Sequence, residues 1–253
     1  MIIVKSPREI ELMREAGRIT ASVFDALEPL IKPGITTREL DRVAEETIRA
    51  QGATPGFKGY GDFPFTICAS VNDVLVHGFA NSKPLKEGDI ISIDVGAVYK
   101  GYNGDAARTY AVGKISEEAS KLIRVTEECF FEGMKFAKPG NFLGDISHAI
   151  QVHAEANGFS LPRDYTGHGI GRDLHEDPAI PNYGPAGTGV KLRVGMCLAV
   201  EPMLHQGRKE TKVMSDGWTV KTVDGKLASH YENTIVITED GYEILTLNRK
   251  IGG

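Results

Sequence analysis

Four acidic residues in this 253-residue chain adjoin apolar or β-branched runs, where a solvated side chain is unexpected. They occur in S-I-D-V-G, N-G-D-A-A, A-V-E-P-M and Y-E-N-T-I-V, as Asp94, Asp105, Glu201 and Glu232. Burying a carboxylate costs free energy unless a positive charge neutralises it. The four acids therefore indicate a metal site, and their combined charge matches two divalent cations, which can activate water for hydrolysis.

The spacing between Asp94 and Asp105 predicts a β-hairpin. A turn centred between Tyr99 and Lys100 would place the two carboxylates directly opposite each other. A turn one residue later would make them diagonal neighbours on the same face. Either arrangement brings like charges together and favours a cation or a shared proton. Aspartate is also common near turns, so for this pair alone a solvent-facing position is the other interpretation.

Histidines supply further candidate residues. His168 lies between glycines in T-G-H-G-I-G, which permit close backbone approach and leave the imidazole uncovered, so we interpret it as a ligand. Carboxylates favour manganese or magnesium, whereas an imidazole admits iron, cobalt or zinc. His77 in V-L-V-H-G-F and His175 in D-L-H-E-D-P are candidates for the active site, with a purely structural role as the alternative for each. His205 and His230 flank the acidic runs, and we assign them no role.

An internal repeat would bring these residues together. K-P-G occurs at residues 32–34 and 138–140, and another glycine follows each copy 18 residues later. In each copy a glycine also precedes an acid by six residues, Gly88 before Asp94 and Gly195 before Glu201. We therefore predict a single domain over residues 1–253 with two similar halves, about 1–113 and 114–253. A pseudo-two-fold axis between the halves would gather the acids.

Capping signals predict the helices. S-P-R-E at 6–9 and T-T-R-E at 36–39 are capping boxes, and the helices that they begin end before Pro33 and at Gly52. Ser116 predicts a helix to about residue 137, and another helix covers about 141–157, followed by a long loop. Strands are predicted at 65–71, 90–98, 106–112, 196–203, 219–223, 229–238 and 242–245.

Composition narrows the function class. A net charge of −5 gives no sign of nucleic-acid binding. Three cysteines without a C-x-x-C motif predict neither a disulfide framework nor a thiolate zinc site, which indicates the reducing cytoplasm. The N-terminal apolar run is too short for a signal peptide or anchor, and no later run approaches a membrane span.

Longer runs carry a resemblance to a known family: I-D-V-G-A-V-Y-K-G-Y-N-G-D-A-A-R-T, Y-T-G-H-G-I-G-R-D-L-H-E-D-P, A-V-E-P-M and Y-E-N-T-I-V-I-T. Nearly the whole chain resembles the methionine aminopeptidases, specifically the short bacterial-type class I. The resemblance implies an α+β pita-bread fold, in which a curved antiparallel sheet from a duplicated unit is covered by helices. Only 25 residues separate His175 from Glu201, so the helical insertion of the class II enzymes is not expected.

The resemblance also implies roles for individual residues. It implies two divalent ions (cobalt, manganese, iron or zinc) with ligands at Asp94, Asp105, His168, Glu201 and Glu232. Glu201 would also shuttle a proton, while His77 and His175 would contact the substrate and assist catalysis. The implied methionine pocket consists of Tyr60, Phe63, Cys68, His77 and Trp218, for which ordinary core packing is the alternative. Phe63, where the family often has tyrosine, and Leu174, where an aromatic can stand, depart from the family pattern.

The resembling family removes the initiator methionine from N-terminal Met peptides of nascent proteins and prefers a small second residue. The resemblance implies a cytoplasmic monomer with transient ribosome association and with no membrane partner. One alternative is a proline-directed dipeptidase or aminopeptidase of the same fold, although those enzymes generally carry a large N-terminal domain. Another is a metal-free binding protein of this fold, which the complete set of five ligands argues against.

Overall fold

The computed structural model of the chain describes residues 1–247. The α-helices of the described residues form two consecutive pairs: α1 (Pro7–Leu27) and α2 (Thr37–Ala50), then α3 (Glu117–Met134) and α4 (Leu143–Ala156). Short 3₁₀ turns lie at Glu28–Leu30 and Tyr60–Asp62. The hydroxyls of Ser6 and Thr36 accept hydrogen bonds from main-chain N–H groups, and the carboxylates of Glu9 and Glu39 accept from the cap N–H groups. Both predicted capping boxes are therefore confirmed.

The described residues form fourteen strands, all paired in antiparallel fashion. They are β1 (Thr54–Pro55), β2 (Ile67–Val71), β3 (Val74–Val76), β4 (Ile90–Tyr99), β5 (Tyr102–Ala111), β6 (Gly167–Gly169), β7 (Glu176–Ile180), β8 (Cys197–Val200), β9 (Met203–His205), β10 (Thr211–Val213), β11 (Val220–Thr222), β12 (Ala228–His230), β13 (Glu232–Ile237) and β14 (Tyr242–Ile244). The main sheet has nine strands in the order β1-β4-β5-β13-β8-β6-β7, with β2 beside β4 and β14 beside β13. Strands β10, β11 and β3 form a second sheet, and β12 pairs with β9.

Two expectations about the strands were wrong. The predicted loop between 158 and 195 contains β6 and β7, whose sequences G-H-G and E-D-P-A-I offer little β-branched or alternating pattern. Pairing of β6 with β8 makes this segment extended. The predicted strands at 196–203 and 229–238 each divide in two, at Glu201 and at Tyr231, where the chain leaves one sheet for another.

Glycines at matching positions of the repeated sequence motifs share a backbone conformation. Gly34 and its counterpart Gly140 have φ of 99° and 90°, and Gly88 and Gly195 have φ of 92° and 84°. Glycine enters this left-handed region without the penalty that a Cβ atom imposes. The two glycines of each matched pair therefore turn the chain in the same way, and the division into two similar halves stays a prediction.

Each helix pair covers its own hydrophobic core, and β5 pairs with β13 at the seam between residues 1–113 and residues 114–253. Across this seam Ala107 faces Glu232 and Ala106 faces Asn233. The guanidinium of Arg108, on β5, donates to the carbonyl oxygens of Glu232 and Thr246 and to the side chain of Asn233. These contacts fix the relative position of the strands that carry the acidic residues.

Candidate metal centre

Three of the four acids share one face of the main sheet. Asp94 on β4 and Glu232 on β13 both lie opposite Ala107 of the intervening strand β5. Asp105 precedes Ala107 by two residues on β5 and faces Gly96, so its side chain points to the same side. Asp94 and Asp105 are therefore diagonal neighbours, which is the second of the two predicted hairpin arrangements.

Glu201 and His168 complete the cluster. Glu201 follows β8 directly, and His168 lies at the centre of β6 opposite Ala199 of β8. The His168 Nε2 atom is 3.7 Å from an Asp105 carboxylate oxygen and 3.7 Å from one of Glu201. A Cβ atom at Gly167 would lie 2.4 Å from the Ala199 carbonyl oxygen. The glycine beside His168 is therefore required for close strand packing.

The acids are withdrawn from solvent, and no lysine or arginine of the described residues forms an ion pair with Asp105, Glu201 or Glu232. The side chains of Asp105, Glu201 and Glu232 are 5%, 13% and 2% exposed. Within residues 1–247, the ion-pair partners of these three are histidines alone. One oxygen each of Asp94, Asp105 and Glu232 is buried without a hydrogen-bond partner. Such orphaned oxygens, next to an imidazole, fit the oxygen and nitrogen donor set of a divalent metal site.

Burial determines the protonation of these groups when no cation is bound. Desolvation, reinforced by the neighbouring acids, raises the pKa of Asp94, Glu201 and Glu232 well above their ordinary values, and desolvation also raises the pKa of Asp105. Burial and then the nearby His175 lower the pKa of His168 to about 4, so its imidazole is neutral at pH 7. The His168 Nδ1 atom is 2.9 Å from the Gly169 carbonyl oxygen and donates to it. This leaves the Nε2 lone pair to face the acids, as a metal ligand requires.

The two remaining predicted histidines border the acids. His77 follows β3 with φ of 59°, an uncommon conformation for a non-glycine residue and one that is frequent at functional sites. The His175 ring centroid is 4.3 Å from that of His168. The Nδ1 atom of His175 is 2.8 Å from the Tyr60 hydroxyl. Both imidazoles are thus placed to contact a molecule bound beside the acids.

All eleven residues predicted for the site line one cavity of about 300 Å³. Its apolar part is built from aromatic rings, with Phe63 and Trp218 in edge contact at a centroid distance of 5.1 Å. Cys68 pairs with Asp94 across β2 and β4, and burial raises the pKa of its thiol well above the ordinary value. The thiol is therefore neutral, which fits a pocket wall.

Sequence reasoning missed several residues that line the cavity. They are Phe57, Val76, Asp164, Tyr165, Thr166 and Met203. His230 is a further residue to which no role was assigned, yet its Nε2 atom lies 3.4 Å from a Glu201 carboxylate oxygen. The sequence H-Y-E could have indicated His230, because residues two apart in an extended chain share a face and Glu232 was already a candidate ligand.

Comparison with known proteins identifies the family. The model of metallopeptidase family M24 matches residues 11–239. The chain belongs to this family. Methionine aminopeptidase 1 of Bacillus subtilis is 56% identical to this M24 peptidase over 246 residues, which cover 97% of the chain and 99% of the relative. The resemblance to the methionine aminopeptidases is therefore confirmed, and the chain is a metallopeptidase.

Solved structures confirm the pita-bread fold of this M24 peptidase. The crystal structure of methionine aminopeptidase from Rickettsia prowazekii superposes with a TM-score of 0.96 at 43% identity, covering 98% of this chain and 100% of that one. A prolidase from Pyrococcus horikoshii superposes with a TM-score of 0.80 at 26% identity, covering 98% of this chain but 65% of the prolidase. In the described part of the M24 peptidase, no helix combines the length and apolar character needed to cross a membrane.

The buried acids predict how the stability of this M24 peptidase depends on pH when metal is removed. Each acid has a pKa in the folded state that is higher than its pKa near 4 in the unfolded state. Between these two pKa values the folded state binds more protons than the unfolded state, so stability falls as pH rises. His77 and His168, with folded pKa values of about 4, act in the opposite direction up to about pH 6.5. Above that pH both imidazoles are neutral in either state, and the effect of the acids remains.

We therefore expect the Tm of the metal-free protein to fall between pH 6.5 and 8. The expected fall is roughly 3–5 °C per pH unit for each acid that holds a proton only in the folded state. Calorimetry with and without saturating Mn²⁺ measures this, and the cation should flatten the dependence because it replaces the protons. Asp94→Asn should reduce the slope of the metal-free protein. A metal-free Tm that does not change over this range would contradict the assignment.

Proposed function

We propose that the chain removes the N-terminal methionine from newly made proteins, with a preference for a small second residue. The main support is a cluster of four shielded carboxylates and a neutral imidazole at one side of an aromatic-lined cavity. The cluster would bind the cations that hydrolysis requires, and the aromatic part of the cavity supplies an apolar pocket. The names of the relatives, which are methionine aminopeptidases, support this substrate.

Two divalent cations are proposed to bind among Asp94, Asp105, His168, Glu201 and Glu232. Four carboxylates balance the charge of two such ions, and the orphaned oxygens provide donors that no side chain satisfies. The donor chemistry is compatible with manganese, iron, cobalt or zinc. When bound, the cations would supply an activated water at neutral pH and would polarise the scissile carbonyl.

The side chains around the cluster have distinct proposed roles. Glu201 is proposed to transfer a proton from the attacking water to the leaving amine, since its carboxylate borders both the ligand cluster and the cavity. His77 would orient the scissile amide, and His175 would donate to the oxygen on which negative charge develops. A cation held by the cluster would also bind the free α-amine of the substrate, which would restrict cleavage to the first residue.

The aromatic part of the cavity suits a methionine side chain. The rings of Phe63 and Trp218 meet at an interplanar angle of 68°, and Phe63 also contacts Phe79. Sulfur makes favourable contacts with aromatic edges. We propose that this side chain is held by Tyr60, Phe63, Cys68, His77 and Trp218. Leu174 also lines the cavity, at a position where the family can have an aromatic residue.

We place this reaction in the cytoplasm, where nascent chains emerge, and propose that the enzyme acts as a monomer that meets ribosomes transiently. A proline-directed dipeptidase of the same fold is the second candidate function. It is favoured by the TM-score of 0.80 to a prolidase, but the chain covers 65% of that protein.

Peptide hydrolysis tests the proposal. The metal-loaded enzyme is expected to cleave Met-Ala-Ser with a kcat/KM at least tenfold above that for Ala-Pro, because only the former offers methionine to the aromatic pocket. Met-Leu-Ser, with a larger second residue, should be the poorer methionine substrate. Preference for Ala-Pro would favour the dipeptidase. Absence of bound metal after gentle purification, together with no hydrolysis on adding Mn²⁺ or Co²⁺, would favour a binding protein.

A further inference from the structure

His230 is a buried imidazole at the rear of the acid cluster. It ends β12, and its side chain is 1% exposed. Its Nε2 atom is buried without a hydrogen-bond partner. The carboxylate oxygens beside that atom are those of Glu201 at 3.4 Å and Glu232 at 3.9 Å. An orphaned ring nitrogen aimed at two acids needs a partner of its own.

The spacing of these atoms matches that of ligands around a common cation. N–H···O hydrogen bonds are usually ~2.7–3.2 Å long, and both distances from His230 exceed this. Donors that share one metal ion at ~2.0–2.2 Å lie roughly 3–4 Å apart. His168, at 3.7 Å from two acid oxygens, shows the same spacing at the other side of Glu201. Each carboxylate oxygen of Glu201 therefore lies near one imidazole, Oε1 near His168 and Oε2 near His230.

We propose that His230 is a sixth ligand of the metal centre, and that its Nε2 atom binds a divalent cation together with Glu201 and Glu232. The donor atoms of these three residues lie within 4.8 Å of one another. The inference rests on the proposed metal-dependent function and adds a second nitrogen donor to the centre. A second imidazole shifts the preference of the centre from manganese towards iron, cobalt or zinc.

Metal titration of the metal-free protein tests this ligand. His230→Ala is expected to lower the affinity for one Co²⁺ ion about 10–100-fold, measured by calorimetry and by the visible absorption of bound Co²⁺. The loss should be smaller for Mn²⁺, which prefers oxygen donors. His230→Gln keeps a similar volume and a hydrogen-bond donor but removes the imidazole, so it should show the same loss.

A matched control is His205→Ala, on β9. That imidazole is also fully buried, and its Nε2 atom also has no hydrogen-bond partner, but it lies outside the acid cluster. Its Co²⁺ affinity should equal that of the unmodified chain. Wild-type Co²⁺ affinity in folded His230→Gln would overturn the proposal, because a hydrogen bond would then suffice. If the unmodified chain itself binds no Co²⁺ or Mn²⁺, the proposed metal-dependent function fails as well. Should His230→Ala not fold, His230→Gln alone decides the ligand.

Discussion

Replacing Glu201 with glutamine is expected to lower kcat on Met-Ala-Ser about 10²–10⁴-fold while leaving the fold intact. The amide keeps the size of the side chain and an oxygen that can face a cation, but it cannot take up and return a proton. In the metal-free protein, burial and the charge of Asp105 raise the pKa of Glu201. Steady-state kinetics at saturating Mn²⁺ measure the loss, and a thermal melt checks the fold.

The control for this substitution is Glu155→Gln on α4, where an exposed glutamate is changed in the same way. Its kcat should equal that of the unmodified enzyme. Bound cation must be counted in Glu201→Gln, since loss of metal alone would also stop turnover. A kcat within tenfold of the unmodified value at equal metal content would remove the proton-transfer role from Glu201.

His175→Ala is expected to lower kcat about 10²–10³-fold, the usual cost of losing one donor to a developing oxyanion. The bound cation should change little, because His175 is not among the proposed ligands. Kinetics on Met-Ala-Ser and metal analysis of the same sample measure the two effects together.

Tyr60→Phe is the matched variant for His175. It removes only the hydroxyl that lies 2.8 Å from the His175 Nδ1 atom, so it should cost much less than loss of the imidazole. A His175→Ala enzyme that lost its cation would contradict the oxyanion role and would make His175 a metal ligand.

The elements that the sequence predicted well are those with local causes. Ser6 with Glu9 and Thr36 with Glu39 satisfy the first N–H groups of their helices within one turn. The hairpin between Asp94 and Asp105 was predicted, but with two alternative registers that differ by one residue in the position of the turn. Its register depends on the turn at Lys100 and Gly101, both with positive φ, and the sequence alone left two turn positions open.

The parts that could not be predicted depend on partners distant in the chain. His168 lies in a strand because β8 and β7 pair with it on either side, and nothing in T-G-H-G-I-G indicates those partners. Tyr165 and Met203 join the cavity because separate segments converge there. For His230, alternation with Glu232 was a usable signal, but an orphaned nitrogen becomes visible only when its surroundings are known.

The seam between β5 and β13 has a consequence for assembly of the molecule. Asp94 and Asp105 lie in residues 1–113, whereas His168, Glu201 and Glu232 lie in residues 114–253. Neither segment alone has the four carboxylates that would balance the charge of two divalent cations. Without cations, the four acids can share the cavity only when protons neutralise part of their charge. The proposed cations would therefore favour the pairing of β5 with β13, because their ligands come from both segments of the chain.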